Sequence, residues 1–279
     1  MTTLRLIQAT LATTLLATST LLSGCVIHID QDAVDAEVTL QEDISIAVNN
    51  IDTLAVDTGA GSLKIYGQEN LDEIKASAQI ITSEDLDYTF TLVKQGNTAK
   101  FVAKNDASSG IYWGKSPRIN VVLYVPKALM LDVEDSSGDV MITDFNNDLL
   151  LEDSSGDIVI RNIHGNVDID DRSGNITITA VEGSLRVDDS SGDIDISGTK
   201  GNVVVDDNSG GIYIQDTAGN INVEDNSGDI KIFNTQGIVN IDDGSGDISV
   251  ERAYSLNIID DGSGGTYIKD VSSINNINH

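Results

Sequence analysis

The sequence predicts an all-β fold: a parallel β-solenoid of eight 18-residue coils behind an N-terminal strand-rich capping region. Three observations predict it. Ser-Gly pairs place glycines at Gly138, Gly156, Gly174, Gly192, Gly210, Gly228, Gly246 and Gly264, each 18 residues after the last. Around every pair apolar and polar residues alternate, the period-two pattern of a strand with one buried face. Helix signals are nearly absent, and the two prolines, Pro117 and Pro126, both precede the coils.

Taken in chain order, residues 1–24 read as a secretion signal. Arg5 supplies a thin basic start, and residues 6–22 are apolar or small but too short and Thr-rich for a comfortable membrane span. The segment ends Leu22-Ser23-Gly24-Cys25, which resembles the lipobox of bacterial lipoproteins. That resemblance implies a lipidated Cys25 as the first mature residue, with a membrane partner reached through the lipid. Val26, a non-Asp residue after the Cys, implies the outer membrane. The bland alternative is an ordinary signal peptide with a chance Cys. Cys25 is the only cysteine, so the exported domain must be stable without disulfides.

Residues 25–44 read as a lipid-anchored linker, and 45–130 as the capping region. Val56-Asp57-Thr58-Gly59-Ala60-Gly61-Ser62-Leu63-Lys64-Ile65 is one degenerate coil. Longer strands are expected over 74–81, 87–93, 99–103 and 119–125, with a hairpin turn at Gln95-Gly96-Asn97. Such a region would cover one open edge of the stack. Tyr112 and Trp113, near Gly114, are either a binding tip or a strand-end packing cluster.

Residues 131–270 are the solenoid. Before the Ser-Gly turn stand Val133, Leu151, Ile169, Val187, Val205, Val223, Ile241 and Ile259. After it stand Val140, Ile158, Ile176, Ile194, Ile212, Ile230 and Ile248, with a second apolar column from Ile142 to Ile268. Gly165, Gly183, Gly201, Gly219 and Gly237 close the coils. Such a strand cannot bury its apolar face alone, and stacking turns each column into an aliphatic ladder. Parallel pairing at about 4.8 Å makes eight coils roughly 38 Å long. An antiparallel sandwich is the alternative, but its strands do not repeat in strict register. Residues 271–279 drift into Ser and Asn, a polar cap or frayed tail.

The formal charge is −29. From residue 131 onward, 30 Asp and Glu face 7 Lys and Arg, a net of −23. Nucleic acid and anionic lipid surfaces are therefore poor partners, leaving a protein or glycan ligand of unknown identity.

The acid is concentrated at the turns. Asp135, Asp153, Asp171, Asp189, Asp207, Asp225, Asp243 and Asp261 each precede a Ser by two residues, and the residue before each is also acidic. Stacked carboxylates at about 4.8 Å repel by about 1 kcal/mol in water and about 3.5 kcal/mol at an effective dielectric of roughly 20. Two readings offset this. Backbone N–H groups satisfy the carboxylates within the turn while Gly takes the left-handed position. Or a row of divalent cations, Ca²⁺ foremost, bridges the eight aspartates. Calcium β-rolls also use about 18 residues per coil, but this chain lacks their paired nonapeptide.

An enzyme is not expected. Uninterrupted 18-residue spacing leaves no loop to build a cleft, and His28, His164 and His279 are far apart without zinc-ligand spacing. No cofactor other than Ca²⁺ is suggested. The outward column Met141, Val159, Thr177, Asp195, Tyr213, Lys231, Ser249, Tyr267 varies too much for an ice-binding array.

The early Gly-Ser-Leu-Lys-Ile coil, the strand-rich insert, Leu123-Tyr124-Val125-Pro126 before the repeats, and the Ser-Gly-Asp-Ile-x-Ile coils together resemble a bacterial family of exported domains with a DUF4097-type label. An adhesin role is assigned to that family from architecture. The resemblance implies the solenoid fold and no catalytic residue. The expectation is a non-catalytic lipoprotein of the bacterial cell envelope, an adhesin or scaffold presenting an acidic surface. The alternative is a Ca²⁺-binding envelope protein.

Overall fold

A computed structural model describes residues 38–83, 86–105 and 116–277. The leader, Cys25, His28, Tyr112, Trp113 and His279 lie outside the described residues. Every element described is a strand. The N-terminal region is β1 (Val38–Ala47), β2 (Thr53–Thr58), β3 (Leu63–Gln68), β4 (Glu73–Thr82), β5 (Tyr88–Gln95), β6 (Thr98–Asn105) and β7 (Arg118–Pro126). The repeats run β8 (Met130–Asp135), β9 (Val140–Phe145), β10 (Leu149–Asp153), β11 (Ile158–Ile163), β12 (Val167–Asp171), β13 (Ile176–Val181), β14 (Leu185–Asp189) and β15 (Ile194–Ser197). They continue as β16 (Val203–Asp207), β17 (Ile212–Thr217), β18 (Ile221–Asp225), β19 (Ile230–Asp243), β20 (Ile248–Asp260), β21 (Thr266–Lys269) and β22 (Ser273–Ile277).

Each coil contributes one strand before the Ser-Gly turn and one after it. Strands a coil apart pair in parallel: Leu131, Leu149, Val167 and Leu185 are successive partners, as are Val140, Ile158, Ile176 and Ile194. Two stacks of parallel strands result, joined through the long β19 into one 22-stranded sheet, and their aliphatic ladders form one core. This is a β-solenoid; parallel register between coils rules out the antiparallel sandwich.

One column breaks. Ile241 pairs with Ile258, but Asp242 pairs with Asp260. The extra residue in β20 is a bulge. Ile258 takes the inward place, and Ile259, expected in the core, is 51% exposed.

The turn glycines also depart from expectation. From Gly138 to Gly246 their φ lies between +131° and +155°, well past the left-handed helical value. A Cβ there would fall 1.6–2.0 Å from the carbonyl oxygen of the glycine one coil earlier. Close stacking of backbones, together with the φ, demands glycine. The left-handed position belongs to another column: Asp144, Asn162, Ala180, Gly198, Asp216, Asn234, Arg252 and Asp270, with φ from 54° to 73°.

The degenerate early coil is a true rung. Val56 pairs with Val133 and Ile65 with Ile142. On its other side β6 pairs with β2 and β7 with β3, again in parallel. The first coil in sequence is thus the second in space. Antiparallel strands close this end: β5 on β6, β4 on β7, and β1 on β4. The β5–β6 hairpin turns at Gly96, whose φ is +64°. At the far end β21 and β22 pair back onto β20, and β22 falls in the segment expected to be a cap or a frayed tail.

Candidate functional site

The Ser-Gly corner carries the densest chemistry. Leu149 and Leu151 face inward in β10, so period-two alternation sends Asp153 inward as well. The whole column follows: its eight aspartates are 0–6% exposed. Register stacks Asp135, Asp153, Asp171, Asp189, Asp207 and Asp225 directly over one another.

Each carboxylate is half satisfied. From Asp153 to Asp243 the Oδ1 accepts the N–H of the Ser two residues on, at 3.2 Å from Ser155, 3.1 Å from Ser191 and 2.9 Å from Ser227. The Ser hydroxyl then donates to a carbonyl one coil back, as Ser227 Oγ does to Asn208 at 3.2 Å. Thr58 Oγ1 donates to Asp135 Oδ1, so a hydroxyl begins the column in place of an acid. The second oxygen, Oδ2, is buried without a hydrogen bond in Asp135, Asp153, Asp171, Asp189, Asp207, Asp225 and Asp243. Asp261, in the bulged last coil, differs: its Oδ2 accepts from Thr266 Oγ1 at 3.1 Å.

Burial raises the affinity of this column for protons from Asp135 to Asp243. It pushes Asp135 and Asp171 up to about 7, and Asp207 and Asp225 up to about 6. Asp153, Asp189 and Asp243 move upward too. Desolvation is the largest cause in each; neighbouring carboxylates reinforce it at Asp171 and Asp207, and Ser N–H groups oppose it. From sequence, repulsion between stacked carboxylates is a cost that backbone N–H groups or divalent cations would offset. Repulsion and the backbone N–H bonds are both present, and burial outweighs each.

The preceding acidic column, Glu134 to Asp260, faces outward beside it. The two columns line an open groove along the corner. Over the last coils it encloses about 380 Å³ against Asp206, Asp207, Glu224, Asp225, Asp242 and Asp243, and no Lys or Arg lines it. Over the first coils a groove of about 220 Å³ includes Lys104 and Arg172, and Lys104 pairs with Asp57. Among the described residues no three His, Cys, Asp or Glu side chains converge as a metal-ligand set. The eight candidate metal residues form a ladder, not a cage.

On the opposite side of the turn, another ladder runs through Asp139, Asp157, Asn175 and Asp193. Each side-chain oxygen accepts the N–H one coil on, at 3.0 Å from Asn175 to Asp157 and 3.1 Å from Asp193 to Asn175. His164 is exposed and pairs with Glu182 at 3.0 Å, which also holds Lys200. It belongs to a surface ladder.

Sequence reasoning missed the buried hydroxyl column Thr199, Thr217, Thr235, whose Oγ1 atoms make no hydrogen bond. Its signal was the period of 18, masked because the earlier coils place Phe145, Ile163 and Val181 there.

No curated protein matches this sequence. Among solved structures, the chain is similar to a "putative adhesin" of Bacteroides fragilis NCTC 9343, at 15% identity, 88% of this chain, 100% of that one and a TM-score of 0.40. It is similar to a "putative cell adhesion protein" of Clostridium sporogenes ATCC 15579, at 13% identity, 86% and 99% coverage and a TM-score of 0.32. A "putative adhesin" of Parabacteroides distasonis ATCC 8503 matches at 13% identity, 88% and 100% coverage and a TM-score of 0.25. The family model described as Toastrack DUF4097 matches residues 51–263, well over half of the sequence, and the chain belongs to that family.

Proposed function

We propose that this is a non-catalytic cell-envelope lipoprotein, anchored through Cys25, whose solenoid serves as an adhesin or scaffold. One observation carries the reading: strands stack coil on coil from β8 to β20 with no loop swelling between coils, and the 18-residue register shifts only between β19 and β20. The surface on offer is a regular array of outward side chains, suited to an extended partner. The charge of −29 argues against nucleic acid and anionic lipid as that partner. The adhesin role assigned to the family from architecture points the same way.

The test uses the full-length protein. Wild type should fractionate with the outer membrane, and Cys25→Ser should lose acylation and leave the membrane fraction. Unmodified, soluble wild-type protein would remove the anchor. Binding to whole cells, glycans and envelope proteins tests adhesion, and the absence of any such binding would sink it.

A divalent-cation reading rests on the groove of Asp206, Glu224 and Asp242, which lacks a basic neighbour. Millimolar Ca²⁺ should then raise the melting temperature by mass action and EDTA reverse it. Identical melts in Ca²⁺ and EDTA would end that reading.

A further inference from the structure

One six-residue pattern occurs twice and interrupts two columns at once. Ser209-Gly210-Gly211-Ile212-Tyr213-Ile214 and Ser263-Gly264-Gly265-Thr266-Tyr267-Ile268 place Gly where the other six coils carry Asp or Asn. Two residues later, on the outward face, they place Tyr, where the other six carry no aromatic. The loss of a polar side chain and the arrival of a ring coincide both times.

At Gly211 lies an open depression of about 530 Å³ on the outward face. Register sets three coils side by side: Asp195, Tyr213 and Lys231 are successive partners. Asp193 and Asp229 flank the space where Gly211 has no side chain. Asp193 Oδ1 accepts the Gly211 N–H at 2.8 Å, which fixes that carboxylate at the rim. Gly211 in turn offers no acceptor to the coil above, so the Asp229 N–H lacks the side-chain partner its counterparts have. Tyr213 is 37% exposed, and its hydroxyl donates to Gln215 Oε1 at 3.1 Å, which lays the ring along the strand. Lys231 Nζ pairs with Asp229 at 3.1 Å, while the Asp195 carboxylate makes no hydrogen bond or ion pair among the described residues.

We propose that this depression is a pyranose subsite for a neutral or amino-substituted sugar of a glycan. The proposal rests on the adhesive reading above and names its ligand class. A ring face carries negative quadrupole density, which suits the C–H face of a pyranose. A few fixed polar groups around an aromatic wall are the usual make-up of a small-ligand site. Here carboxylates accept from sugar hydroxyls, and Lys231 and the Asp229 N–H donate to them. Three carboxylates against one amine disfavour uronic and sialic acids. Gly265 and Tyr267 repeat the glycine and the ring, though not the Asp and Lys that flank Tyr213, three coils on, about 14 Å away at the strand spacing. Asp247 Oδ1 there holds the Gly265 N–H at 2.8 Å, and Tyr267 is 52% exposed, so one oligosaccharide can meet two rings on one face.

The experiment titrates the full-length protein with neutral, amino-substituted and anionic oligosaccharides, and compares adhesion to whole cells. Neutral or amino sugars should bind. Tyr213→Ala should weaken them roughly tenfold, and so should Gly211→Asn, which refills the depression with the residue Asn175 already carries in this column. Tyr213→Phe should keep the affinity, and melting temperatures should stay level throughout. No saccharide binding, a preference for anionic sugars, or equal affinity in Gly211→Asn would overturn the subsite. Cell adhesion retained equally by every variant would leave the adhesive reading standing and remove this one. Loss of adhesion in wild type itself would count against the adhesive reading instead.

Discussion

Two columns of carboxylates run one residue apart along the same corner and live in different solvents. Glu152, Asp170 and Glu224 face water; Asp153, Asp171 and Asp225 face the core. They share chemistry, spacing and neighbours in sequence. The alternation of a strand separates them, and burial then raises the affinity of the inward Asp153, Asp171 and Asp225 for protons. The lesson is that an acidic repeat is not an acidic surface. Half of this acid sits inside, where the charged form is costlier than in water.

The largest break in that comparison tests the alternation itself. Ile194→Asp puts a lone charge into an aliphatic ladder and should cost about 4 kcal/mol or more, enough to unfold the stack. Thr177→Asp, one coil earlier on the outward face, should shift a denaturant midpoint little. Equal damage at both sites would show that inside and outside have been misassigned.

Next comes pH. The inward aspartates from Asp135 to Asp243 bind protons more tightly folded than unfolded, with Asp171 pushed up to about 7. Between that value and the unfolded carboxylate pKa near 3.9, the folded state holds more protons, so stability falls as pH rises. Melting temperature should therefore climb from pH 8 to pH 5, by the equivalent of a few kcal/mol over the column. A melt that weakens over this range would show that the outward, solvated acids dominate.

Asp207→Asn isolates one rung. It keeps the acceptor for the Ser209 N–H and removes a buried charge. The new amide can donate to an unpaired Oδ2 on the next coil. At pH 8 it should stabilise by ~1 kcal/mol, a gain that shrinks at pH 5. Destabilisation at both pH values would refute the desolvated-charge account. The smallest effect is expected at Asp206→Asn, next door on the groove face, within about 0.5 kcal/mol. A gain equal to that of Asp207→Asn would erase the difference between the columns.

Much of this was legible in the residues. Leu149, Leu151 and Asp153 alternate, and that pattern alone sends the carboxylate inward. The eye follows charge instead, so the aspartates read as turn or ligand groups. Ile259 was misplaced for a different reason. Ile258 and Ile259 are chemically equivalent, and only the pairing of Asp260 with Asp242 decides which one is buried. The groove's polarity along its length was not legible either, because Lys104 comes from β6, far away in sequence.

By itself the sequence determined the coil length, the parallel register and the identity of the ladders. A strict period of 18 admits one stacking in which every apolar column meets itself. The tertiary structure decided where β2 and β3 sit between β6–β7 and β8–β9, which isoleucine the β20 bulge buries, and how many protons the acidic column prefers. Each of these depends on groups brought together from other coils. Desolvation and pairing are properties of that neighbourhood, and no single coil contains it.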